Sequence, residues 1–357
     1  MITALNTSRA DVQCPVQNLL NQNEVLRVMG QLPFEKIERR ILVKREAATN
    51  LNHGCRPEER KTEELIAYGI VNINKPSGPT SHQVSEYVQK ILKIDKAGHS
   101  GTLDPAVTGV LPVALGRGTR IVQALLNAGK EYVGVMHLHK EVSKEELQKI
   151  INEKFLGKIR QLPPIKSAVK REERTREIYY FEILEIEEKD VLFRVGCEAG
   201  TYIRKLCHDI GQSLKVGAHM SELRRTKAGP FDESSMATLQ DLKDAFHYFF
   251  NEKNDQFLRK TIQPVENGVR HFPKVWVLDG AIKSLCHGVD LKMPGIAKLH
   301  SGIKKGNLAA VMSLKDELIG LGTAIESSEQ MMKKSGGIAV KIEKVFMEPN
   351  VYKLASP

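Results

Sequence analysis

The stretch Gly69-Ile-Val-Asn-Ile-Asn-Lys-Pro-Ser-Gly-Pro-Thr-Ser-His82 fits a strand, a turn and the start of a helix into one short run. Ile70-Val-Asn-Ile73 is apolar and β-branched, which predicts a short strand, and Asn74-Lys-Pro-Ser-Gly-Pro79 is dense in turn formers. Thr80 and Gln83 have the spacing of a capping box, and Val84, Val88, Ile91 and Leu92 recur at helical intervals. A helix is therefore expected from Ser81 to Lys93.

Downstream, the glycine-broken loop Ala97-Gly-His-Ser-Gly-Thr-Leu-Asp-Pro-Ala106 separates that helix from the apolar run Val107 to Leu115. A second helix is expected from an N-cap at Thr119, through Ile121, Val122, Leu125 and Leu126, to a stop at Gly129. Tyr132 to Leu138, Tyr179 to Ile186 and Val191 to Cys197 are β-rich segments between charged turns, with a helix from Lys144 to Phe155 among them. Gly200-Thr201 opens a helix whose Ile203, Leu206, Ile210 and Leu214 face one way, placing Arg204 in its first turn. One helical stretch is expected around Leu239 to Leu258. Past Phe272 the composition changes to short strands and glycines: Val275-Trp-Val-Leu278, Gly295-Ile-Ala297, Leu308-Ala-Ala-Val311 and Gly337-Ile-Ala-Val340. Closely spaced strands of that kind predict a small barrel. The fold class is α+β: a mixed, mostly antiparallel sheet with helices, followed by a small β-barrel.

A chain of 357 residues can bury two separate cores. The expected division is a leader over 1–32, a larger domain over 33–270 whose N-terminal part is able to pack on the barrel, and the barrel over 271–352. The 53 Lys+Arg against 43 Asp+Glu, a formal net charge of +10, suit a polyanionic partner. Cys14, Cys55, Cys197, Cys207 and Cys286 are odd in number and scattered, without a Cys-x-x-Cys pair, so free thiols in a reducing interior are expected and a zinc site is not. No apolar run approaches the ~18 to 20 residues of a membrane span, and a soluble, cytoplasmic protein is expected.

Asp104 stands out as a carboxylate in a short loop stiffened by Pro105 and glycines, between two elements that read as buried. Such a loop can hold a carboxylate at a fixed distance from a bound sugar; the plain alternative is a turn aspartate. Arg204 has apolar neighbours at the start of its helix and needs a partner, for which a carboxylate is the natural match. Tyr132 and Tyr202 offer faces on which a base could stack, although a sheet tyrosine is more often core. Basic clusters at Lys166 to Arg176, Arg224-Arg225 and Lys304-Lys305 could contact phosphates.

Seven segments in one order, Gly69-Ile-Val-Asn-Ile-Asn-Lys-Pro76, Gly78-Pro-Thr-Ser-His82, Gly98-His-Ser-Gly-Thr-Leu-Asp-Pro105, Gly109-Val-Leu-Pro-Val113, Gly129-Lys-Glu-Tyr132, Gly200-Thr-Tyr-Ile-Arg204 and Leu223-Arg-Arg-Thr226, resemble the TruB/dyskerin family of pseudouridine synthases, in its archaeal dyskerin-type form. The resemblance runs from about Pro33 to Tyr352, and Pro273 to about Met347 looks like the RNA-binding barrel called PUA. Ser100 stands where Thr or Gly is expected, and 1–32 matches nothing in the family. The resemblance implies that Asp104 attacks uridine at its glycosidic centre, that the freed uracil turns in the pocket, and that it rejoins through carbon 5, with no metal or organic cofactor. It further implies that Tyr132 stacks on the base and assists the later proton removal, and that Arg204 pairs with Asp104. His99 would wedge into the space left by the flipped base, Tyr202 and Leu223 would line the pocket, and Lys75 would support the loop.

The partners it implies are RNA (an H/ACA guide RNA, rRNA and tRNA) and the Nop-type, Gar-type and kink-turn-binding small proteins of the H/ACA particle, with no membrane. The barrel would grip the ACA end of the guide, with Lys298, Lys304 and Lys305 on phosphates. The chain stops soon after the barrel without the lysine-rich tail of many eukaryotic relatives, which fits the archaeal form. Two other readings are a stand-alone tRNA pseudouridine synthase and an RNA-binding assembly protein with incidental catalysis. A sugar-cleaving hydrolase lacks a second acid in any matching motif.

Overall fold

The computed structural model describes residues 30–163 and 170–352. Residues 1–29 of the leader, Cys14 and the start of the Lys166 to Arg176 cluster lie outside the described residues. Within them the chain forms two sheets.

The larger sheet contains β2 (Gly69–Lys75), β3 (Ala97–His99), β4 (Thr108–Leu115), β5 (Lys130–Leu138), β6 (Gly157–Gln161), β7 (Arg174–Glu187), β8 (Asp190–Cys197), β9 (Ala218–Ala228), β10 (Phe231–Asp232) and β11 (Ile262–Pro264). Its main order is β11-β2-β4-β9-β5-β8-β7-β6, and every pairing is antiparallel except β4 with β9. That parallel contact matters for the site, because it sets Gly109 beside Arg225. A Cβ at Gly109 would stand 2.2 Å from the Arg225 carbonyl oxygen, and its φ of +101° is one that glycine adopts freely.

The second sheet joins β1 (Ile41–Val43) to β12 (Lys274–Val277), β13 (Leu291–Lys292), β14 (Ile296–His300), β15 (Leu308–Met312), β16 (Leu318–Ala324) and β17 (Ile338–Val345), in the order β1-β14-β12-β15-β16-β17-β13. β1 comes from the other end of the sequence and pairs antiparallel with Lys298–His300. The two sheets share one apolar core: Ile70, Val110, Leu125 and Val269 on one side meet Trp276, Met312, Leu321 and Phe346 on the other.

Local signals set the helix after β2. Ser81–Leu92 begins at Thr80, whose hydroxyl accepts from the Gln83 N–H while the Gln83 side chain accepts from the Thr80 N–H. Ile203–Ser213 buries Ile203, Leu206, Cys207 and Ile210 on one face, with Tyr202 as N-cap. Three expectations need correction. The loop over 97–106 opens with the strand β3, which pairs with β4. Thr119 is not an N-cap: it lies inside a 3-10 turn over Gly116–Ile121, its hydroxyl donating to the Gly116 carbonyl, and the α-helix is only Val122–Leu126. The stretch after Leu239 is two helices, Leu239–Glu252 and Gln256–Thr261, broken where Lys253 turns left-handed at φ 58°. The described cysteines are free thiols, and no helix among the described residues is long and apolar enough to cross a membrane.

Candidate active site

The loop between β3 and β4 is pinned from below at nearly every residue. Leu103 is buried, and its backbone is held by the Ser81 hydroxyl, which accepts from the Leu103 N–H at 2.8 Å and faces the Leu103 carbonyl at 3.3 Å. The Lys75 ammonium, fully buried, donates to the carbonyls of Pro76, Pro105 and Val107 at 2.9 Å each. The Gly78 N–H donates to the Pro105 carbonyl at 3.0 Å, and the Val107 N–H to that of Asp104 at 3.0 Å. Burial, followed by the nearby Arg225 charge, pulls the Lys75 pKa down, while three carbonyl dipoles favour its ammonium form. Fastened on both flanks, the loop projects the Asp104 carboxylate outward, among the exposed Thr102, Pro105 and Ala106.

Asp104 is 56% exposed and meets Arg204, 63% exposed, through a single 2.7 Å contact between one guanidinium nitrogen and one carboxylate oxygen. Arg204 is aimed there by its helix start, which Gln161 secures. The buried Gln161 amide accepts from the Tyr202 N–H at 3.0 Å and donates to the Tyr202 carbonyl at 3.2 Å. The exposed pairing leaves the second carboxylate oxygen without a hydrogen bond or ion pair among the described residues.

Tyr132 lies on β5 opposite Arg225 on β9, just past a bulge after Glu131. Its apolar surroundings push the phenol up, and the charge of Arg225 pulls it back. Leu223 lies two residues before Arg225, opposite Gly134, and packs with Tyr132 against one core cluster. His99 accepts from the Gly101 N–H through Nδ1 at 3.3 Å; burial and then the Arg225 charge lower its pKa, so the imidazole is neutral near pH 7. The structure thus gathers Asp104, Arg204, Tyr132, His99 and Lys75 around one loop, with Tyr202 and Leu223 on the flanking elements. Asp104 acts electrostatically on both Tyr132 and Lys75.

Lys298, Lys304 and Lys305 lie in the second sheet. Lys298 is on β14 with its ammonium 5.0 Å from the Trp276 ring, and the other two are exposed in the turn before β15. Arg224-Arg225 is not a phosphate patch. Both residues are buried: Arg224 binds Glu233 at 2.7 Å, and Arg225 binds the Val110 carbonyl at 2.7 Å and the Gly101 carbonyl at 3.3 Å. The Lys170 to Arg176 part of the other cluster carries ion pairs to Glu172 and Glu198.

Ser81, Gln161 and Arg225 were missed as supports of the site. For Arg225 a signal existed, since strand alternation puts it on the same face as Leu223, the inward one. Ser81 and Gln161 act through pairings 22 and 41 residues apart, which no local pattern reveals. No group of three or more His, Cys, Asp or Glu among the described residues is arranged to hold a metal ion.

Chemically the arrangement offers an accessible carboxylate, a cation beside it, an aromatic face and a polar cap. Known proteins resemble this chain. Residues 30–85 match the DKCLD domain, 89–203 the N-terminal domain of TruB family pseudouridylate synthase, 204–270 the C-terminal domain of tRNA pseudouridylate synthase B, and 273–346 the PUA domain. A protein of Pyrococcus furiosus described as probable tRNA pseudouridine synthase B is 54% identical over 333 residues, 93% of this chain and 96% of its own. The crystal structure of a Cbf5-Nop10-Gar1 complex contains a chain 55% identical, with a TM-score of 0.86 over 91% of this chain and 99% of that one. An H/ACA ribonucleoprotein bound to a substrate RNA containing 2′-deoxyuridine contains one 52% identical, TM-score 0.84, over 90% and 99%. With a site built around one exposed carboxylate, and with near full-length identity above one half, the chain belongs to the TruB family of pseudouridine synthases.

Proposed function

We propose that Asp104 carries the isomerisation of uridine to pseudouridine and that an H/ACA guide RNA selects the uridine. The observation that carries this reading is the exposed Asp104 carboxylate, held by Arg204 at 2.7 Å on a loop that cannot recoil. Arg204 holds one carboxylate oxygen and leaves the other for C1′ of the ribose, where it attacks as nucleophile or stabilises the sugar cation. The uridine must leave its stack, at a cost of a few kcal/mol, so an unpaired target in a guide duplex is favoured. Tyr132 stacks on the extruded base, Tyr202 and Leu223 line its pocket, and the neutral His99 fills the gap it leaves. Lys75 fixes the loop. Once bound RNA covers the site, water is kept from the sugar while the uracil turns.

Residues 33–270 form the catalytic domain and 271–352 the RNA-binding one, where Lys298, Lys304 and Lys305 contact guide phosphates in a salt-sensitive, sequence-blind way. The partners are Nop-type and Gar-type proteins on the catalytic domain and a kink-turn binder reached through RNA, in the cytoplasm of an archaeal-type cell. The complexes of the similar chains support this partnership. A second reading, tRNA modification without a guide, is favoured by the description of the Pyrococcus furiosus relative.

Tritium release from RNA labelled at uridine C5 tests both. Release that requires Asp104 and rises with guide RNA and the small proteins supports the guided enzyme. Asp104-dependent release from tRNA alone moves the assignment to the second reading, and no release in any condition leaves an RNA-binding assembly protein.

A further inference from the structure

Arg225 is a guanidinium 1% exposed, and among the described residues no carboxylate pairs with it. Its Nε donates to the Val110 carbonyl at 2.7 Å and a terminal nitrogen donates to the Gly101 carbonyl at 3.3 Å, and Arg225 lies directly opposite Tyr132 on the β5–β9 ladder, close enough for its charge to act on the phenol. Gly101 runs at φ +134°, and a Cβ there would lie 3.7 Å from the guanidinium. Burying a cation against neutral dipoles is expensive, and its surroundings make it more so: Lys75, Lys130 and His99 all feel its charge as repulsion. Nothing in packing alone calls for a charge at this point, where an apolar side chain would fill the space more cheaply.

We propose that Arg225 is a positioning residue for the isomerisation, tying the Tyr132 phenol to the loop that carries Asp104 and stabilising the phenolate that removes the C5 proton. The inference rests on the assignment of uridine isomerisation to this site. One side chain binds the Gly101 carbonyl, three residues before Asp104, and stands opposite Tyr132 in the ladder, so the nucleophile and the proton acceptor are held in one register. The groups facing the phenol are Arg225, Asp104 and Cys197; the first favours phenolate, the other two oppose it. When uracil has joined the sugar through C5, that carbon still bears hydrogen. The C5–H bond breaks, its proton passes to the phenolate oxygen, its electron pair becomes the C5=C6 double bond, and the C6=N1 π pair withdraws onto N1. N1, no longer bonded to the sugar, takes a proton from water, and the resulting phenol returns one to water.

The test uses whichever assembly, guided or tRNA alone, gives Asp104-dependent tritium release, and compares Arg225→Met, Arg225→Lys, Tyr132→Phe and Arg225→Met/Tyr132→Phe in single turnovers. Arg225→Met should bind RNA normally yet turn over about 100-fold more slowly near neutral pH, in the range of a lost proton acceptor. The loss should shrink as pH rises, C5-deuterated substrate should react more slowly than the protiated one, and the double variant should be no slower than Tyr132→Phe. A loss that is equal at every pH, lacks an isotope effect or adds fully to that of Tyr132→Phe would overturn the proposal. Should Arg225→Met not fold by circular dichroism, Arg225→Lys carries the same three criteria with a loss of about tenfold. Wild type that releases no tritium would sink the assignment of the site, and this inference with it, independently of any Arg225 variant.

Discussion

Two Arg–carboxylate contacts of 2.7 Å serve opposite ends in this molecule. Arg60 and Glu266 are 10% and 7% exposed and meet through two parallel hydrogen bonds, 2.8 and 2.7 Å, with Glu266 also accepting from the Leu318 N–H at 3.0 Å. Three segments are joined there: the stretch before β2, the stretch after β11 and the barrel strand β16. Arg204 and Asp104 meet once, and both are more than half exposed. In the first pair every prong is spent inside the protein; in the second, one carboxylate oxygen is unspent and open to a ligand. Contact length says nothing about role, whereas burial and unused valence say a great deal.

The comparison breaks most sharply at Asp104. Asp104→Asn keeps the shape and removes the charge, so tritium release should fall by at least about 10⁴-fold, the scale of a lost member of a catalytic unit. Thermal stability should stay within about 0.5 kcal/mol, because an exposed pair contributes little. Glu266→Ala should do the reverse. It strands the Arg60 guanidinium in the interior and costs about 3–5 kcal/mol by denaturant titration, with turnover per folded molecule unchanged. If Asp104→Asn proved as destabilising as Glu266→Ala, the distinction would collapse.

Arg204→Lys sharpens the exposed side. An ammonium keeps the charge but not the reach and planar geometry of the guanidinium nitrogen that makes the single contact, so release should drop about 100-fold while stability holds. The buried side has its own signature in pH. His271, close to Lys130 and Arg39, has no hydrogen-bond partner for either ring nitrogen among the described residues, and burial pulls its pKa down to about 3. Because the folded value lies below the unfolded 6.5, the unfolded chain binds the proton first. Stability is therefore full above about pH 6.5 and is lost as pH falls toward 3. Between pH 7 and pH 5 the loss should be about 2 kcal/mol, and a His271→Phe variant should not show it in urea titrations at the two pH values.

The legible parts of this fold share one property: their causes lie within a few residues. The capping box at Thr80 and Gln83, the inward row Ile203, Leu206 and Ile210, and the position of Arg204 in its first turn all follow from local spacing. The helix over 119–129 was misplaced because Thr119 satisfies the Gly116 carbonyl inside a 3-10 turn, a choice set by how the turn packs under β2. The break at Lys253 carries neither Gly nor Pro, and β1 joins the barrel across more than 250 residues of chain. Arg224-Arg225 read as surface because two adjacent arginines usually are. Both are interior here, since β9 has sheet neighbours on both sides and Glu233 and the Gly101 carbonyl supply their partners.

The smallest effect tests whether the exposed pair depends on hidden support. Gln161 touches neither Asp104 nor Arg204, yet its buried amide holds both the N–H and the carbonyl of Tyr202, the N-cap residue two places before Arg204. In Gln161→Ala the helix start keeps its apolar anchor Ile203 but gains freedom in the turn that aims the guanidinium. About 1 kcal/mol of lost positioning is expected, the net contribution of one good hydrogen bond, which corresponds to roughly a fivefold slower turnover. The loss should vanish in an Arg204→Ala background if Gln161 acts by aiming Arg204. If it persists there, the clamp serves Tyr202 itself, and the pocket wall rather than the ion pair is what Gln161 holds in place.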